Sequence, residues 1–145
     1  MPWYRYSSVS GLSPQPYVRF RLWRGPNRVE IAALVDSGAD TSILDAGYAE
    51  FLGLDRAEAE TEGAVTASGQ VITYRRWPAA DLEIDFAGRR FPYNGGFIDF
   101  PADSDPTNLL GRSDFFQQYI IQFWEAARLM SIDLAPQFSY PPIRT

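Results

Sequence analysis

The sequence predicts an all-β domain of closed, barrel-like form carrying one or two short helices. Three observations predict it. Apolar and polar residues alternate in short runs, with a period of two rather than 3.6. Clusters of Gly, Pro, Asn and Asp separate those runs and read as turns. The 145 residues contain no internal repeat, so many short strands must share one core. A chain of this length buries roughly two-thirds of its unfolded surface, enough for a single core without staples.

The elements follow in order. In Tyr17 to Arg24, Val18, Phe20 and Leu22 fall on one face and Arg19, Arg21 and Trp23 on the other. Arg19, Arg21, Arg24 and Arg28 then read as a solvated strand face. Gly25 to Arg28 is a turn, and Val29 to Val35 returns as a strand. Its unbroken Ile31-Ala32-Ala33-Leu34-Val35 end predicts burial on both faces. Residues 46–52 are a helix candidate, with Asp45 as N-cap and Gly53 as stop. Leu54 to Glu62 reads as an exposed acidic connection, in which Glu58, Glu60 and Glu62 are solvated. A second hairpin runs from Gly63 to Ala67, turns at Ser68-Gly69 and returns through Gln70 to Trp77. Asp81 to Phe86 alternates again, with Leu82, Ile84 and Phe86 inward. Ala87-Gly88-Arg89 turns into Arg90 to Tyr93, and Gly96 to Phe100 is a further strand. Pro101 to Thr107 is a polar loop. Its Asp103-Ser104-Asp105 start lacks the Gly and Glu of a calcium loop. A short helix over about Arg112 to Tyr119 leads to a last hairpin, Ile120 to Phe123 with Arg128 to Ile132. The organisation is therefore an N-terminal segment (1–16), a domain (17–132) and a Pro-rich tail (133–145).

Composition narrows the chemistry. There is no Cys and no His, and all 13 basic residues are Arg. Disulfides, thiolate nucleophiles, His-based triads, His-ligated metals and Lys Schiff bases are all excluded. Any proton chemistry rests on carboxylates, with Tyr second. A net charge of −5 opposes nucleic-acid binding by a broad basic surface. No apolar run long enough to span a membrane is present, and the N-terminal residues do not resemble a signal peptide. A cytoplasmic protein is the expectation.

One segment stands apart: Leu34-Val35-Asp36-Ser37-Gly38-Ala39-Asp40-Thr41. A carboxylate placed directly after a buried apolar strand is costly unless something requires it there. Gly38 permits a tight turn and close approach of another backbone, and the Ser37 hydroxyl can both donate and accept. An ordinary Asp-Ser-Gly turn is the plain alternative. Its surroundings argue for more: a hairpin before it, a small-tipped hairpin after it, and Asn108-Leu109-Leu110-Gly111-Arg112 running into a helix near the end.

Taken together these motifs resemble the single-domain, retroviral-type aspartic proteases (retropepsins) and their bacterial relatives, over roughly residues 17–132. The resemblance implies roles for individual residues. Asp36 would be the catalytic carboxylate, in a turn completed by Ser37, Gly38 and Ala39. Ser37 would lock two such turns together, and Gly38 would present backbone to substrate. Asp40 and Arg112 would form a structural ion pair, and Leu109, Leu110 and Gly111 would pass behind the turn. Ala67, Ser68 and Gly69 would be the tip of a flap closing over a peptide or protein substrate. No metal or cofactor is implied. Such a mechanism needs two carboxylates sharing one proton, yet the chain has a single Asp-Ser-Gly turn, so the resemblance implies a homodimer.

The match has departures. The flap tip carries one Gly and no Tyr, although Tyr74 lies on the return strand. The terminal segments do not match the short viral termini, and Trp3, Tyr4 and Tyr6 read equally as dimer anchors or as cover for one end of the domain. A catalytically silent dimerisation or peptide-binding module is the chief alternative function. A precursor activated by rearrangement or cutting of its termini is another.

Overall fold

The computed structural model describes residues 2–8, 13–65, 68–78, 81–135 and 144. In chain order the elements are β1 (Trp3–Arg5), β2 (Tyr17–Arg24), β3 (Asn27–Val35), β4 (Ile43–Asp45), α1 (Ala46–Phe51), β5 (Glu60–Val65) and β6 (Val71–Arg76). They continue with β7 (Leu82–Phe86), β8 (Arg89–Pro92), β9 (Gly96–Ile98), β10 (Leu109–Leu110), α2 (Phe115–Gln118), β11 (Tyr119–Trp124) and β12 (Leu129–Leu134). The chain is all-β, as expected. Among the described residues no helix is long and apolar enough to cross a membrane.

Nine strands form one sheet in the order β5-β6-β9-β4-β10-β3-β2-β7-β8, and β1-β12-β11 form a second. The sheets are not closed into a barrel, which corrects the closed form expected from sequence. The two margins face different surroundings instead of each other. At one, the β5–β6 hairpin leaves the sheet after the single ladder pair Arg75↔Phe97. At the other, β8 is tied to α2 by side chains: the Arg89 Nε and Nη2 groups donate to Gln118 Oε1 at 3.1 and 2.8 Å. The last hairpin pairs with β1 rather than extending the larger sheet.

The core alternates as the sequence predicts. Val18, Phe20 and Leu22 of β2 and Leu82, Ile84 and Phe86 of β7 are all buried. Phe86 packs edge-on against Phe115 and Tyr119, joining the two sheets and α2. In β3 the expected two-sided burial gives way to alternation: Ile31, Ala33 and Val35 are buried, Leu34 is half-buried and Ala32 is exposed. Ala32 lies opposite exposed Arg19 on the outer face, where a small residue needs no cover. Strands β4, β1 and β10 have no more than three residues each and are too short to show alternation.

Local signals set the ends of elements. Asp45 caps α1 by accepting from Gly47 N at 2.8 Å, and Gly53, at φ +78°, ends the turn that follows. Helix α2 is shorter than expected because Asp114, not Arg112, is its N-cap. Of the acidic connection, Leu54 is buried and Glu62 is half-buried within β5, so only part of it is solvated. In the N-terminal segment Tyr6 is buried, Tyr4 rests against Phe86 and Trp3 stays exposed beside Trp124. Tyr4 and Tyr6 therefore cover their own domain. The Pro-rich tail falls largely outside the described residues.

The β7–β8 turn carries a cost. Ala87 and Gly88 both have positive φ, 50° and 78°, as a type I′ hairpin turn requires. A Cβ disfavours that region by about 1 kcal/mol or more, and Asn tolerates it better. Ala87→Asn is accordingly expected to raise stability by about 0.5–1 kcal/mol, seen as a higher denaturation midpoint at unchanged slope.

Candidate active site

Strand β3 lies between β2 and β10, paired parallel with β10 through Leu109↔Leu34 and Leu110↔Val35. The ladder runs on by one bond, Asp36 N–H donating to Leu110 O at 3.0 Å. This delivers Asp36, half-buried, at the end of a rigid strand. The chain then turns sharply. Gly38 N–H donates to Asp36 Oδ1 at 2.9 Å, and Ala39 N–H to Asp36 O at 3.2 Å. A Cβ at position 38 would sit 3.2 Å from that carboxylate oxygen, so a residue larger than Gly would crowd it. Among the described residues, Asp36 Oδ2 accepts no hydrogen bond and Ser37 is exposed with no side-chain partner. One carboxylate oxygen is anchored and the other is open.

The stretch Leu109-Leu110-Gly111 passes behind this turn. Gly111 is required by the approach. A Cβ there would lie 2.6 Å from Ala39 O and 2.8 Å from Thr41 C. Arg112 N–H donates to Ala39 O at 2.9 Å, locking the two segments by backbone. The Asp40–Arg112 ion pair forms too. Its side chains are 84% and 55% exposed, so it contributes about 1 kcal/mol or less. The backbone bond and the Gly111 contact do more to hold the loop. Asp40→Asn should therefore shift the thermal midpoint by no more than about 4 °C, roughly 1 kcal/mol for a chain of this size.

Two residues beneath the turn escaped the sequence reading. Ser42, fully buried, accepts from Gly111 N–H at 2.8 Å and donates to Asp114 Oδ1. Asp114, also buried, accepts from Phe115 N–H at 2.7 Å and Asn94 N–H at 3.1 Å. Burial raises its pKa above the ordinary carboxylate value, while the Ser42 and backbone donors act in the opposite direction. The Asp114-Phe115-Phe116 order, an acidic residue just before an apolar run, is an N-cap signal that could have located it. Nothing local marks Ser42.

Facing the turn is the β5–β6 hairpin. Between them lies a cleft of about 570 Å³. Asp36, Gly38, Ala39, Asp40 and Thr41 line one side; Gly63, Ala64, Val65, Ile72 and Tyr74 line the other. Ile43 and Leu109 make its apolar base. At the hairpin tip Ser68 and Gly69 are exposed, Gly69 at φ +83°; Ala67 lies outside the described residues. The cleft thus brings together Asp36, the rest of its turn, Leu109 and the body of the hairpin. Arg112 and Gly111 support it from behind.

A family model described as "gag-polyprotein putative aspartyl protease" matches residues 26–116, more than half of the chain. That span holds the Asp36 turn, the hairpin and the Leu109-Leu110-Gly111 segment, and stops short of β11 and β12. No curated protein matches the chain.

Proposed function

The chain belongs to the gag-polyprotein aspartyl protease family, a retropepsin-like group, and from that premise we propose an aspartic endopeptidase that works as a homodimer. The observation that carries this reading is the placement of Asp36. It stands at the mouth of a cleft with an apolar base, one carboxylate oxygen pinned by Gly38 and the other open, opposite a hairpin arm joined to the sheet by one ladder pair. A two-fold axis beside Asp36 brings a second copy's carboxylate next to the first. Two carboxylates in contact cannot both ionise readily, so they share one proton. The ionised one takes a proton from water as it attacks the scissile carbonyl; the protonated one hydrogen-bonds the carbonyl oxygen as charge develops there. Ser37, exposed beside Asp36, is placed to bond the partner's turn.

The substrate is an extended peptide. It lies between turn and hairpin, its side chains against Ala64, Ile72, Ile43 and Leu109, its backbone pairing as an added strand. Ser68 and Gly69 close over it. The test is cleavage of a peptide library across about pH 3 to 7, comparing wild type with Asp36→Asn, alongside the mass of the particle in solution. Cleavage that depends on Asp36, by a dimer, supports the reading. Cleavage indifferent to Asp36 overturns it, and a dimer that binds peptides without cutting them makes the chain a binding module.

A further inference from the structure

The base of the hairpin holds a tyrosine that the aspartic-protease chemistry does not use. Tyr74 is buried in β6 and lies in the cleft wall opposite Asp36. Two neighbouring strands meet on it. Its ring lies against Gly96 of β9, so close that a Cβ there would be 2.1 Å from Tyr74 Cδ2. Its hydroxyl donates to Glu62 Oε2 at 3.0 Å, across the register pair Glu62↔Tyr74 of the hairpin. Thr41, the residue after Asp40, lines the same cleft as Tyr74. Burial and Glu62 push the phenol's pKa up, while the Thr41 hydrogen bond and the Arg76 charge pull it down.

The position is mechanically particular. Strand β6 pairs with the main sheet at one ladder position, Arg75↔Phe97, adjacent to Tyr74 and Gly96. Among the described residues, the arm beyond it, carrying Ala64 and Ile72, pairs with no strand but its own partner. A hinge made of one ladder pair sets the arm's angle loosely. A buried aromatic seated on Gly96 and hydrogen-bonded to the facing strand sets it well.

We propose that Tyr74, with Glu62 as its acceptor and Gly96 as its seat, is a positioning residue that fixes the height of the β5–β6 arm above Asp36. It does so without touching the reacting atoms. This rests on the reading of the cleft as a protease site. Removing the hydroxyl frees the arm to sample wider openings, and substrate that must be gripped between arm and turn binds more weakly. Once bound, substrate meets the same pair of carboxylates, so the chemical step is unchanged.

Two measurements test it. Tyr74→Phe keeps the ring on Gly96 and loses only the hydroxyl. It should raise KM about five- to tenfold with kcat within about twofold, the scale of one lost hydrogen bond. Glu62→Gln keeps a carbonyl oxygen that can accept from the phenol, and should leave KM within about twofold of wild type. Independently of activity, amide hydrogen exchange at Ala64 and Ile72 should speed up about five- to tenfold in Tyr74→Phe, with exchange in β2 and β3 unchanged. Unaltered exchange at Ala64 and Ile72 overturns the proposal, whether or not the protein cleaves peptides. Equal losses in kcat and stability with KM unmoved also overturn it, reducing Tyr74 to core packing. If wild type shows no Asp36-dependent cleavage, the protease reading fails by itself and the exchange data still decide the hinge.

Discussion

Asp36→Asn is expected to lower kcat/KM by about a thousandfold or more, roughly 4 kcal/mol of transition-state stabilisation. The loss is large because, in the proposed dimer, one gene-level change removes both members of the pair: the base that activates water and the acid that steadies the carbonyl oxygen. The fold should not notice. The Asn side-chain oxygen can still accept from Gly38 N–H, where Asp36 Oδ1 does at 2.9 Å, and the bond from Asp36 N–H to Leu110 O is backbone. A thermal midpoint within about 3 °C of wild type is therefore expected, near the scale of 1 kcal/mol for this length. Mixing sharpens the result. When equal amounts of wild-type and variant chains exchange partners at random, about one quarter of the dimers hold two Asp36 residues. Activity per total chain should then fall to about a quarter of wild type if mixed dimers are dead. A fall to one half instead means that each chain acts alone, which would sink the shared site.

The parts of this molecule that could be read from its sequence are those whose cause is local. The β2–β3 hairpin is written in the alternation of Val18, Phe20 and Leu22 and in Gly25, and α1 in Asp45 and Gly53. Asp36 stood out because a carboxylate ending an apolar strand conflicts with its neighbours, and such conflicts mark sites. What could not be read depends on residues far apart in the chain. Ser42 and Asp114 are 72 positions apart, and each alone is an ordinary polar residue. Glu62 looked like one of three solvated acids until its strand register set it opposite Tyr74. In the sequence Gly96 is only the first residue of an expected strand, and nothing local marks Gly95. In the fold each is a seat, Gly95 against Ser42 O and Tyr93, Gly96 against Tyr74. Barrel closure failed for a related reason. Alternation says which face of a strand is buried but nothing about whether the first and last strands of a sheet meet.

The same long-range placement makes Asp114 the most sensitive structural residue of the site. Asp114→Ala deletes the acceptor of two buried donors, the Ser42 hydroxyl and the Phe115 N–H, and of the part-buried Asn94 N–H. Each donor left without a partner costs about 1–3 kcal/mol, so a loss of about 3 kcal/mol or more is expected, with a midpoint lower by roughly 10 °C. That is a large part of the total stability of a domain this size, about 5–15 kcal/mol. Activity should fall further than stability does, because Ser42 also accepts from Gly111 N–H, and Gly111 is what backs the loop carrying Asp36. Asp114→Asn separates charge from hydrogen bonding. Its carbonyl oxygen can serve Ser42 and Phe115, but its NH₂ group faces the Asn94 N–H, a donor against a donor. The pH dependence gives a second readout. Burial holds the folded-state pKa of Asp114 above 3.8, the ordinary value. The unfolded chain therefore releases this proton first, and ionising Asp114 costs the folded state more. Its contribution is most favourable below the ordinary value and declines as pH rises through the raised one. Asn cannot titrate, so the stability advantage of wild type over Asp114→Asn should shrink as pH rises from about 3 toward neutrality. Parallel stability curves for the two proteins would show that Asp114 does not titrate in that range.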